Sequence, residues 1–133
     1  MQAYKYSNQT QHQETWLNSQ TTRPIATLTV TYHGKTFTLT PESSVFFMGR
    51  SSDCHLQIVD EAISRHHCKI IYHHHHYFLL DISQNGLHYH NNLSPVIYLN
   101  HACIMIAGDM RLKLASRITP HDDEIIEIKA GYQ

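Results

Sequence analysis

From residue 25 to residue 114 the chain is written in short hydrophobic runs, nearly every one followed by a turn signal. Residues 25–32 alternate apolar and hydroxyl side chains with period two, the pattern of a strand with one buried face. His33-Gly34-Lys35 reads as a turn, and 36–39 alternates again, so the two runs form a hairpin that Pro41 ends. Further strands are expected at 45–48, 55–59, 68–72, 77–81, 87–89, 96–99, 103–106 and 110–114. Only the acidic end, 122–129, has a spacing compatible with a helix. About ten or eleven short strands with turns between them predict an all-β sandwich. A sandwich gathers its working loops at one end, so residues far apart in sequence can share a site.

The 133 residues suit one domain, with enough chain to bury a core without disulfide or metal. The expected organisation is a polar, mobile tail over 1–23, relieved only by Trp16 and Leu17, a β-sandwich domain over 24–116, and a C-terminal extension over 117–133. The run Asp122-Asp123-Glu124 reads as part of a solvated tail. Thr119-Pro120-His121-Asp122 lies in that polar segment, with an aspartate three places after the threonine.

Composition excludes several functions. Ten Lys and Arg residues are scattered, which argues against nucleic acid as a partner. No apolar stretch approaches the ~18 residues of a membrane helix, and no signal-peptide core opens the chain. Three cysteines, Cys54, Cys68 and Cys103, without CxxC spacing, read as small buried thiols in a reducing, cytoplasmic setting. No GxSxG, P-loop or paired catalytic carboxylates appear, so no enzyme is expected. His73-His74-His75-His76 lies between two expected strands. Adjacent strand residues point to opposite faces, so these histidines cannot all reach one ion from a regular strand. With no HExxH and no Cys-His ligand spacing, neither a metal nor another cofactor is expected.

Three motifs interrupt the strands in fixed order: Gly49-Arg50-Ser51-Ser52, Ile63-Ser64-Arg65-His66-His67 and Asp81-Ile82-Ser83-Gln84-Asn85-Gly86. Together they supply two guanidinium groups, hydroxyls and a carboxamide. A phosphate ester carries roughly −1.5 to −2 charge and several strong acceptors. The planar fork of Arg50 suits it, because it donates paired hydrogen bonds and never loses its charge. Ser64 offers a loop hydroxyl, Arg65 a second cation, and Asn85 an amide that both donates and accepts. Gly49 is expected to turn the backbone sharply so that Arg50 points outward, and Gly86 to take positive φ as the chain re-enters a strand.

The order and spacing of these motifs resemble the forkhead-associated (FHA) domain, a phosphothreonine-reading module, over roughly residues 25–115. The resemblance implies an FHA-like β-sandwich that binds a phosphothreonine-containing peptide or protein, an adaptor in a kinase-regulated signalling or assembly pathway. It implies that Arg50, Ser64 and Arg65 hold the phosphate and that Asn85 holds the peptide backbone. His67 takes the place of a buried histidine that braces the loops, with Gly49 and Gly86 as structural support. It also places the 73–76 turn at the end of the sandwich away from the phosphate loops. Two departures stand out: Leu87 follows Gly86 where the family usually has Thr, Ser or Val, and Asn100-His101-Ala102 stands in for a His-Gly-Asp turn. Two other readings remain open, a phosphate-independent scaffold of the same fold and a metal-binding protein built on the histidine run.

Overall fold

A computed structural model describes residues 24–91 and 94–132. The expected tail over 1–23 lies outside these residues. Among the described residues eleven strands follow one another without a helix: β1 Ile25–Tyr32, β2 Lys35–Leu39, β3 Phe46–Gly49, β4 Leu56–Gln57, β5 Cys68–His73, β6 His76–Asp81, β7 Leu87–His90, β8 Ile97–Leu99, β9 Cys103–Met105, β10 Met110–Leu114 and β11 Ile126–Tyr132. They form two sheets, of order β2-β1-β11-β10-β7-β8 and β4-β3-β5-β6-β9. Every pairing is antiparallel except the short parallel one between β3 and β4. The fold is the expected all-β sandwich.

The alternation read from the sequence is the alternation of burial. Leu28, Val30 and Tyr32 of β1 face inward, as do Ile70 of β5, Leu79 of β6 and Leu112 and Leu114 of β10. Each fully buried aliphatic side chain contributes about 1.5–3 kcal/mol, so the layer between the sheets carries the fold. Leu87 is also fully buried, so the departure after Gly86 serves the core. Of the cysteines, Cys54 and Cys68 are buried, but Cys103 is exposed on β9, an edge strand, which corrects the expectation of three buried thiols.

The largest difference from the sequence reading lies at the C-terminal end. Residues 126–132, placed in an extension, form β11 in the middle of the larger sheet. One edge pairs with β1, from Thr31↔Glu127 to Ile25↔Tyr132, and the other with β10. Ile126 and Ile128 are buried, so the segment has strand period, not helix period. The acidic run is no solvated tail either. Asp122 has a side chain only 4% exposed, 2.7 Å from Lys113 Nζ. It also accepts from the backbone N–H and the hydroxyl of Thr119, and these bonds hold its carboxyl far below the usual carboxylate range. The carboxylate three places after Thr119 is thus committed to the domain itself.

The sheet direction fixes which loops meet. The loop between β4 and β5 enters β5 at Cys68, and β6 leaves at Asp81 toward 82–86. The β5–β6 turn, with His74 and His75 at positive φ, lies at the other end of these six-residue strands. At ~3.3 Å per residue the histidine turn stands about 20 Å from the loops of interest.

Candidate functional site

Two loops are stitched together by main chain. The backbone N–H of Arg50 donates to the carbonyl of Ser64 at 2.9 Å, and that of Ser51 to the carbonyl of Arg65 at 3.0 Å. Gly49 explains how they approach so closely. A Cβ placed there would lie 2.2 Å from the Arg65 carbonyl oxygen and 2.8 Å from the His67 nitrogen. The expected turn at Gly49 is not what requires glycine. Gly49 has no positive φ and ends β3 in regular pairing with β4; what it supplies is room for the neighbouring loop.

The third loop joins through side chains. The backbone N–H of Gln84 donates to Ser64 Oγ at 3.0 Å, and Asn85 Nδ2 donates to the carbonyl of Ala62 at 2.8 Å. Inside this loop, Ser83 Oγ donates to Asp81 Oδ1 and receives the N–H of Gly86, both at 2.7 Å. Asp81 also accepts the N–H of His101 at 2.9 Å, so the turn over 100–102 is tied to the same carboxylate. Gly86 has φ +75, and a Cβ there would meet the ring of Tyr98 at 2.6 Å. The Tyr98 hydroxyl donates to the carbonyl of Asn85 at 3.1 Å.

His67 sits beneath all three loops and is fully buried. Its Nδ1 accepts the N–H of Ser64 at 3.1 Å, which leaves the proton on Nε2, 2.6 Å from the carbonyl of Gly86. One neutral imidazole therefore clamps the second loop to the third. Burial lowers its pKa below the ordinary 6.5, opposed by the bond to Gly86 and by Asp81. Below about pH 6.5 the unfolded chain protonates this ring and the folded one does not, so stability from His67 falls with pH there and is restored above it. In an NMR titration the His67 ring is expected to titrate below 6.5; a midpoint above that value would contradict the clamp.

The result is a shallow pocket of about 260 Å³ lined by Arg50, Ser64, Arg65 and Asn85, with Glu61, Ala62, Ile63 and Gln84. Arg50 Nε donates to the carbonyl of Ile63 at 2.9 Å, which lays the guanidinium along the second loop and leaves both Nη groups without a protein partner among the described residues. Ser64 Oγ accepts from Gln84, so its own O–H remains available to donate. Arg65 is exposed, and its side chain has no protein partner among the described residues. Asn85 uses one N–H internally and keeps its Oδ1 for another donor. The four sequence candidates thus converge on one surface, with unspent donors that suit an oxyanion.

Sequence reasoning missed three contributors: the Gln84 amide, the Ala62 carbonyl and Tyr98. It also missed a separate side-chain cluster beside the pocket, where ligand-type atoms of Asp53, Cys54 and His66 lie within 4.8 Å of one another.

The family model of the FHA domain matches residues 46–115. This chain belongs to the FHA family. The FHA-1 domain of Mycobacterium tuberculosis Rv1747 is similar in fold, with a TM-score of 0.61 and 20% identity over 80% of this chain and 98% of that one. The FHA domain of MEK1, solved with a HOP1 phosphothreonine peptide, gives a TM-score of 0.60 at 14% identity over 80% and 98%. The FHA domain of FhaA, solved with the intracellular domain of Rv3910, gives 0.57 at 20% identity over 77% and 99%. A search of curated proteins finds no match. FHA domains are binding modules, not enzymes, and phosphorylated peptides are the partners this membership supports. Among the described residues no helix is long and apolar enough to cross a membrane.

Proposed function

We propose that this FHA domain binds phosphothreonine in a peptide or protein partner and serves as a cytoplasmic adaptor in a kinase-regulated signalling or assembly pathway. The observation that supports it most is the set of unspent donors around one depression: the Nη groups of Arg50, the hydroxyl of Ser64 and the cation of Arg65. Arg50 and Ser64 hold the phosphate, with Arg65 as a second cation. Asn85, braced on Ala62, takes the peptide backbone beside it. This is recognition of a charged ester by an arginine-centred site, with charge-assisted bonds as the main attraction.

Titration with a library-selected peptide in phosphothreonine, phosphoserine and unphosphorylated forms tests the proposal. The phosphothreonine form is expected to bind alone or strongly preferred. Equal binding of the unphosphorylated form would favour the phosphate-independent scaffold.

Asn85→Ala is expected to weaken binding by about 1–2 kcal/mol, the range for a hydrogen bond whose partner is left unmade. That is roughly tenfold in affinity. If Asn85→Ala changes nothing while binding stays phosphate-dependent, the amide does not hold the peptide.

A further inference from the structure

The turn that follows Arg50 and the loop that carries Ser64 meet a second time, through Asp53, Cys54 and His66, which do not line the pocket. The Cys54 N–H closes a turn onto the carbonyl of Ser51, and the Cys54 thiol donates to the carbonyl of Arg65 at 3.1 Å. Beside it, Asp53 Oδ1 stands 3.0 Å from His66 Nε2. The His66 ring is held edge-on against Phe47, with centroids 5.3 Å apart. A sulfur, an imidazole nitrogen and a carboxylate oxygen therefore face one another, and among the described residues this is the one such group of three.

We propose that Asp53, Cys54 and His66 bind a single zinc ion that bridges these two loops. Zinc takes thiolate, imidazole and carboxylate together, in tetrahedral geometry at about 2.0–2.3 Å. Ligand atoms at those radii are separated by roughly 3.3–3.8 Å, so the Asp53–His66 pair, now 3.0 Å apart, opens slightly, and any pair near the 4.8 Å limit closes by about an ångström. Asp53 and His66 are on the surface and can make that adjustment, while buried Cys54 supplies the fixed point. A thiolate and an imidazole select against magnesium and calcium, which prefer all-oxygen shells. Charge also closes: one carboxylate, one thiolate and a neutral imidazole balance the dication; the thiol proton, now bonded to the Arg65 carbonyl, passes to solvent, so that bond is exchanged for the one to zinc, and water fills the fourth position.

The site does not depend on what the pocket binds, and its test does not either. All proteins carry Ser and Gly in place of His73, His74, His75 and His76, which removes the competing histidine turn. After chelator treatment, zinc is titrated by calorimetry and cobalt by absorption. The expected result is one zinc per chain and a thiolate-to-cobalt charge-transfer band. Cys54→Ser is expected to abolish the band, with its hydroxyl still able to donate to Arg65. His66→Asn is expected to weaken zinc by more than the roughly 10–100-fold typical of an outer-sphere partner. Thermal unfolding of each variant checks the fold; should Cys54→Ser fail to fold, Asp53→Asn and His66→Asn, both surface changes, carry the test. No zinc at one equivalent, a cobalt spectrum without the thiolate band, or zinc binding untouched by the substitutions would each overturn the proposal.

Discussion

Arg50→Ala is expected to remove most phosphopeptide binding and to leave the fold in place. Truncating one partner of a desolvated, hydrogen-bonded charge pair costs about 2–5 kcal/mol, much of it from the charge left unpaired. At ~1.4 kcal/mol per decade, that is on the order of 30-fold or more in affinity. The fold survives because the backbone bond from Arg50 to Ser64 persists, and the side-chain bond that disappears, from Nε to the Ile63 carbonyl, lies where water can replace it. Arg50→Lys should fall between, since it keeps the charge but loses the fork and the Nε bond that aims it. Calorimetry with the phosphothreonine peptide decides the matter, and an affinity change under threefold for Arg50→Ala would remove it as the phosphate anchor.

Gly49→Ala is the second substitution expected to have a large effect, and it acts without touching the ligand. One methyl group at this position overlaps main-chain atoms, the Arg65 carbonyl and the His67 nitrogen, which cannot rotate away as a side chain would. The loop must move bodily, against the bonds that tie Arg50 to Ser64, Ser51 to Arg65 and the His67 N–H to Met48. Overpacking of this kind costs about 1–3 kcal/mol, and the clash with backbone puts it toward the upper end. Because Ser64 and Arg65 ride on the displaced segment, phosphopeptide affinity should fall with stability. Urea denaturation alongside peptide titration tests both; a midpoint and an affinity equal to those of the parent would show that the loops tolerate the methyl.

The strands were legible where one face is buried and the other is not. Period two in 25–32 becomes the inward row Leu28, Val30 and Tyr32, and the same logic holds for β5, β6 and β10. β11 is not legible, because the charges that precede it have the pattern of an exposed tail. Asp122, Asp123 and Glu124 precede it, yet Asp122 is satisfied by Lys113 and Thr119, and Glu124 by the Tyr32 hydroxyl and His33, all brought near only by the fold. The expected strand at 55–59 shrinks to two residues for a related reason: Ile58 still bonds Gly49, but Val59 swings out to 79% exposure. In the pocket, Arg50, Ser64, Arg65 and Asn85 were visible because side-chain chemistry is written in residue types. The Gln84 amide and the Ala62 carbonyl are main chain, which every residue carries, so nothing marked them. Asp53, Cys54 and His66 come from segments on either side of β4, and only the backbone bonds between those segments make them neighbours.

The place of β11 sets the order in which this domain can form. It lies between β1, the first strand of the sandwich, and β10, so the larger sheet stays in two pieces until residues 126–132 have been made and have found both neighbours. Closing that gap joins the two ends of the domain, and its loop-closure entropy comes before the contacts that reward it. The smaller sheet, by contrast, takes β3 to β6 from one contiguous stretch and carries two of the loops that line the pocket. Folding should therefore start there and wait on the last strand, in the millisecond-to-second range of β-sandwiches, with the β1 and β10 edges bare in the interval.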